Sequence, residues 1–240
     1  MLNIMTSALR VSLVTIVFCG LIYPLAVTGL AQWLLPYQAN GSLVIEANGT
    51  ILGSRLIGQD WTGPQWFHGR LSATTDIDPN DPTKTVPRPY NAANSTGSNF
   101  GPTSRTLRER LATDRKALEE SQPELMNQLL PADMLTSSAS GLDPDISPAY
   151  AALQLSRVAE ARGVPVAEIS TLLKQHIRGR SLGIFGEPRV NVFLLNRTLQ
   201  RTYAKRSESA TCDSDSVVWG MCRMSLLWQV LIADFGLLPG

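Results

Sequence analysis

The sequence predicts a single N-terminal transmembrane helix followed by one extracytoplasmic α+β domain. Three observations predict it. Val11–Leu35 is an apolar run of 25 residues without a charge. The remainder mixes short β-branched runs with capped helical periods, in a chain that is 44% hydrophobic and so able to pack a core. Only Arg10 and the terminal amine precede the apolar run, and the first basic residue beyond it is Arg55. The positive-inside rule then places the N-terminus in the cytoplasm and the rest outside.

Residues 1–10 read as a short cytoplasmic N-terminus. Residues 11–35 span about 37 Å as a helix, enough for a hydrocarbon core of about 30 Å. Pro24 predicts a kink that a membrane helix tolerates. Trp33 and Tyr37 fall at the far interface, where amphipathic aromatics sit. The run is longer than the 7–15 apolar residues of a signal peptide, which favours a retained anchor.

Residues 36–205 form the soluble α+β domain. Leu43–Gly58 reads as a hairpin with a two-residue turn at Asn48-Gly49. "GPQWFHGRLSAT" follows as irregular, aromatic-bearing chain. Residues 74–88, with Pro79, Pro82 and Pro87, read as an exposed proline-rich loop insert. Thr106–Glu120 is a surface helix. Ser147 as N-cap, Pro148 at the first position and Gly163 at the end bound the next helix. Another runs from Pro165 to Gly179, and the two make a helical hairpin. "EPRVNVFLLNRTL" is a short strand running into a helix. In the atypical tail, 206–240, the apolar run Val217–Leu238 holds Arg223 and Asp234. Each costs about 2.5–3.5 kcal/mol at a bilayer centre. The tail therefore reads as interfacial, partner-packed or disordered chain rather than a second span.

A net charge of +1 with 17% charged residues argues against nucleic acid as a partner. The helical hairpin lacks the basic second helix of a DNA-binding motif. Three cysteines (Cys19, Cys212, Cys222) and two histidines (His68, His176) do not supply a structural zinc site. Asp76, Asp78 and Asn80 open like a calcium loop, but Asp81 stands where glycine is needed and Pro87 where glutamate is needed. Gly53 and Gly58 have phosphate-loop spacing, yet Gln59 and Asp60 replace the lysine and hydroxyl residue. "GRSLGIFG" does not have dinucleotide-loop spacing. Ser72, His68 and Asp76 are too crowded in one segment to form a triad. Sequons at Asn40, Asn48, Asn94 and Asn196 matter only in a glycosylating pathway. No acid, base and nucleophile set converges, so the chain reads as non-catalytic by itself.

"YNAANSTGSNFGPT" (Tyr90–Thr103) carries no acid, base, histidine or cysteine, but many amides, hydroxyls and glycines. Neutral hydrogen-bonding groups and close backbone approach suit an interface near an ion path. They suit equally a loop packed on its own domain.

Five stretches carry a resemblance: "YPLAVTGLAQWLLPYQANGSLV", "FHGRLSAT", "YNAANSTGSNFGPT", "SASGLDPDISPAYAALQLSRVAEARG" and "FGEPRVNVFLLN". Over about residues 10–200 and in the same order, the chain resembles the C subunit of the Kdp potassium-transporting P-type ATPase. The resemblance implies a single-pass subunit of the inner (plasma) membrane. Its implied partners are the lipid bilayer, a channel-like potassium-binding subunit, an ATP-hydrolysing subunit and a small single-helix subunit. It implies a catalytic-chaperone role that raises the ATP affinity of the ATPase subunit, and a domain near the extracytoplasmic potassium entrance. No cofactor is expected to bind tightly; the complex handles ATP and potassium. Gln154 and Arg157 occupy the implied nucleotide-contact position, although an extracytoplasmic domain favours an indirect effect. His68, Tyr90, Asn91, Asn94, Ser98 and Asn99 are the candidate partner surface, and no residue is expected to bind metal. The alternative is a membrane-tethered extracytoplasmic binding or assembly protein unrelated to ion transport. The 74–88 insert and the tail depart from the family pattern.

Overall fold

The computed structural model describes residues 2–126 and 128–213. Helix α1 (Leu2–Val17) continues through a π-helical turn (Phe18–Ile22) into α2 (Tyr23–Leu34). Asn3–Leu34, 32 residues, is long and apolar enough to cross a membrane, and none of the described residues buries it. At 1.5 Å per residue it is about 48 Å long, more than the roughly 30 Å of a hydrocarbon layer. The helix starts at Leu2 rather than Val11, because Arg10 ends the uncharged run without breaking the helix. The irregularity expected from Pro24 takes the form of the wide turn just before it, where Tyr23 N–H reaches Phe18 O. Proline has no N–H to offer, and the extra residue accommodates the interrupted ladder.

A single short turn, α3 (Pro36–Ala39), leads to the hairpin β1 (Leu43–Ile45) and β2 (Ile51–Ser54). Its connection differs from the two-residue turn expected. Gly49 N–H bonds Glu46 O at 2.9 Å, and Glu46 N–H bonds Thr50 O at 2.9 Å. Gly49 takes φ +84°. This is a three-residue loop with the glycine in the left-handed position, the other common hairpin solution for an Asn-Gly pair.

The 74–88 insert is not an irregular loop. It forms an antiparallel ribbon, β3 (Thr75–Asp78) and β4 (Asp81–Pro87). Pro79 lies in the turn and Pro82 and Pro87 lie near the ends of β4, where a two-stranded ribbon tolerates a missing donor. Asp78 Oδ1 accepts Asn80 N–H across the turn at 2.8 Å, and Asp76 pairs with Arg88. No group of three or more metal-capable side chains occurs among the described residues.

Helix α4 (Arg105–Ser121) is capped by Ser104, whose hydroxyl accepts Leu107 N–H. It has no buried residue, in keeping with its many charges. After α5 (Ala132–Leu135) comes the central sheet, with β5 (Asp145–Ile146), β6 (Ile177–Arg178) and β7 (Arg189–Asn191) in the order β5-β7-β6, all antiparallel. The helix begun by Ser147 and Pro148 breaks once: α6 (Pro148–Leu153) and α7 (Leu155–Arg162) meet at Gln154, and Gly163 at φ +63° closes the second. Helix α8 (Val166–His176) packs on α7 as the expected helical hairpin, and α9 (Val192–Asp213) follows β7.

The core gathers Phe67, Ile146, Tyr150, Ala151, Val158, Ile169, Leu173, Val190, Leu195 and Leu199. Helices α6–α9 and the central sheet therefore form one hydrophobic unit, with the irregular segment around Phe67 pinned into it. The tail beyond Asp213, with the Val217–Leu238 run and Cys222, lies outside the described residues.

Candidate functional site

Two irregular segments contain most of the candidate residues. The first is Gly63–Arg70. It has almost no backbone ladder, so its polar groups must find other partners. Two buried amides supply them. Asn196, on α9 and 0% exposed, accepts Phe67 N–H at 2.9 Å and donates to Phe67 O at 2.8 Å. Gln154, at the α6–α7 break and 1% exposed, accepts His68 N–H at 2.7 Å and donates to His68 O at 3.1 Å. Each side-chain amide mimics a neighbouring strand, and together they hold consecutive residues.

Two arginines complete the clamp. Arg157 donates to Pro64 O at 2.8 Å and Gly63 O at 3.4 Å, and also to Gln154 Oε1 at 2.7 Å. Its guanidinium pKa is lowered by burial. Arg162 donates to Gln65 O at 2.8 Å and stands 4.6 Å over the Trp66 ring, a cation–π contact. His68 Nε2 lies 2.9 Å from Gly63 O, and since a carbonyl only accepts, that nitrogen carries the proton. Burial first, and then the Arg157 charge, lower the His68 pKa, so the ring is neutral near pH 7.

The second segment is Tyr90–Asn99, and it packs on its own domain. Tyr90 has φ +57°. Its hydroxyl donates to Arg70 O at 2.7 Å, and burial raises its pKa strongly. The ring fits against Gly58 and Gly69, where any Cβ would collide with it. Asn91 is buried and donates to Thr75 O at 2.8 Å; Asn94 is exposed and donates to the same oxygen at 3.0 Å. Ser98 Oγ accepts the Ser137 hydroxyl at 3.2 Å. Gly97 rests against the Ala139 backbone, leaving no room for a side chain. Asn99, at φ +52°, and Phe100 remain exposed at the end of the segment.

The expected residues thus fall into distinct groups. Gln154, Arg157 and His68 meet in one hydrogen-bonded cluster. Tyr90 and Asn91 are anchors of the second segment, and Asn94, Ser98 and Asn99 lie toward its surface. Ser72, His68 and Asp76 do not meet: Ser72 bonds Thr74 and Gly141 O, His68 bonds Gly63, and Asp76 bonds Arg88. Sequence reasoning missed Asn196, which it read only as a sequon, and Arg162. Their common signal is a polar residue on the apolar face of a helix, visible only once that face is known.

The family described as "KdpC: K+-transporting ATPase, c chain" matches residues 5–201. A Potassium-transporting ATPase KdpC subunit from Bradyrhizobium diazoefficiens is 52% identical over 205 residues, covering 85% of this chain and 100% of the relative. One from a Bradyrhizobium species, strain BTAi1, is 54% identical over 199 residues, covering 83% and 97%. One from Rhodopseudomonas palustris is 49% identical over 205 residues, covering 85% and 100%. With the match taking in nearly all of the long apolar helix, both clamped segments and the first turns of α9, the chain belongs to the KdpC family, the c chain of the K+-transporting ATPase.

Proposed function

We propose that this chain is the anchored, non-catalytic accessory subunit of an ATP-driven potassium uptake complex. In this reading α1–α2 crosses the inner membrane with the N-terminus in the cytoplasm. The soluble domain stands outside, near the potassium entrance, and docks on the potassium-binding subunit, beside the ATP-hydrolysing and small single-helix subunits. Family membership and the long apolar helix support the reading.

The observation that carries the proposed mechanism is the clamp. Gln154 is buried, and its amide is engaged with His68 and Arg157. A residue so engaged is better suited to fixing the Gly63–Arg70 segment than to holding a nucleotide. We therefore assign Gln154 and Arg157 as positioning residues. Any increase in the ATP affinity of the ATPase subunit arises through the rigid surface they support, as a coupling between separate sites. That surface includes the exposed end of the Tyr90–Asn99 segment, whose groups are neutral. A fixed anion there would alter cation capture.

Asn99→Asp tests this directly. Asn99 is exposed and left-handed, a conformation aspartate also adopts, so folding should hardly change. In the assembled complex the charge should impair growth at limiting potassium, while Thr113→Asp on the exposed α4 should not. Normal growth and transport with Asn99→Asp would remove the surface from the docking reading.

A further inference from the structure

A concavity of about 340 Å³ lies where the end of α8, the first turns of α9 and strand β1 converge. That is at the low end of the range for ligand pockets, about 300–1,000 Å³. Its lining includes Val44, His176, Arg178, Arg197, Thr198 and Arg201. Arg197 and Arg201 are four residues apart on α9, with Thr198 three residues before Arg201, so the helix itself presents two cations to the same space.

The charge balance is positive. Arg197 is paired with Glu46 at 2.9 Å and also donates to Gln200 at 3.0 Å. Among the described residues, no side-chain hydrogen bond or ion pair engages Arg178 or Arg201. Asp145 lies within the field of Arg178, but its carboxylate is bonded to Arg189 at 3.1 Å. Among the described residues, three guanidiniums face one directly bonded carboxylate, Glu46, so the concavity carries an excess of positive charge. The positive end of α9 and the negative end of α8 both approach, so the helix dipoles oppose one another and the arginines decide the sign. His176 turns Nδ1 toward Leu172 O at 2.9 Å and Nε2 toward Thr198 Oγ1 at 3.0 Å, which fixes one wall.

We propose that this concavity binds a phosphate group. Planar guanidiniums grip phosphate oxygens in pairs, and a concave site with excess positive charge and hydroxyl and amide neighbours matches that chemistry. Two sources supply it. Val44 lies ten residues beyond the end of the membrane helix at Leu34, a reach of at most about 35 Å, so an anionic lipid headgroup is within range. A soluble phosphate compound offers the same group. The site is separate from Gln154, Arg157 and the Tyr90–Asn99 segment.

The test uses the full chain. In a neutral detergent, inorganic pyrophosphate is titrated by calorimetry. In phosphatidylcholine nanodiscs, the melting midpoint is followed with and without phosphatidylglycerol. Wild type should respond saturably to at least one, less so at high salt. Arg178→Gln/Arg201→Gln should weaken the response by at least about tenfold. Arg108→Gln/Lys116→Gln on α4, an equal charge change, should leave it intact. A response to phosphatidylglycerol alone assigns the lipid source, to pyrophosphate alone the soluble source, and to both a general phosphate site. No wild-type response to either, or equal losses in the pocket and control variants, overturns the proposal. If the double variant does not fold, Arg201→Gln alone decides, because that side chain is exposed and, among the described residues, has no side-chain hydrogen bond or ion pair to lose.

Discussion

Truncating Gln154 separates a positioning role from a nucleotide-contact role. Gln154→Ala removes both bonds to the His68 backbone and one from Arg157. Arg157 keeps its carbonyl partners at Gly63 and Pro64, so its loss is small. The His68 N–H and C=O lose their partner in a half-buried setting. An unsatisfied buried group costs about 1–3 kcal/mol, and partial access for water favours the lower half of that range. The total is about 3 kcal/mol, a large share of a typical stability of about 5–15 kcal/mol. For a domain of this size, about 2–4 °C per kcal/mol gives a midpoint lowered by roughly 6–12 °C. The assay is thermal unfolding of the full chain in detergent without nucleotide, read by tryptophan fluorescence, since Trp61 and Trp66 lie 4.9 Å apart beside the clamp. Gln154→Glu should fall about midway, because it keeps an acceptor for His68 N–H but turns an oxygen toward His68 O. A midpoint within about 2 °C of wild type for Gln154→Ala would refute the clamp. Tight ATP binding by wild type, lost in a variant with an unchanged melt, would assign the residue to nucleotide contact instead.

The pH dependence follows from His68. Its folded pKa is lowered by burial, so below about 6.5 the unfolded chain takes up the proton first and stability falls as pH drops toward the folded value. The midpoint of wild type should fall between pH 7 and 5 more than that of His68→Gln; equal slopes would exclude His68 as the cause. Gly69→Ala should lower the midpoint because the added methyl meets the Tyr90 hydroxyl, an overpacking cost of about 1–3 kcal/mol; an unchanged melt would show that Tyr90 can yield. For topology, with the native cysteines replaced, an impermeant thiol reagent on intact cells should label Ser54→Cys and spare Asn3→Cys. The reverse pattern would invert the proposed orientation.

Features set by neighbouring residues were legible in the chain itself. The uncharged run after Arg10 marked the long apolar helix, because an unbroken stretch without charge is read from neighbouring residues alone. Ser147, Pro148 and Gly163 marked helix ends, because caps act within one turn. The 74–88 ribbon was missed because its prolines stop a central strand but not the outer positions of an isolated pair. The clamp was illegible for a different reason. Gln154 meets His68 across 86 residues and Asn196 meets Phe67 across 129, and no local pattern distinguishes a buried amide from an exposed one. The arginine-lined concavity likewise needs residues 44, 178, 197 and 201 brought together. Local propensity and hydrophobic period determined the long apolar helix and the order of the elements. Only the packing of α6–α9 on the central sheet decided which polar residues face inward, because burial depends on what lies opposite a side chain and not on what lies next to it in the chain.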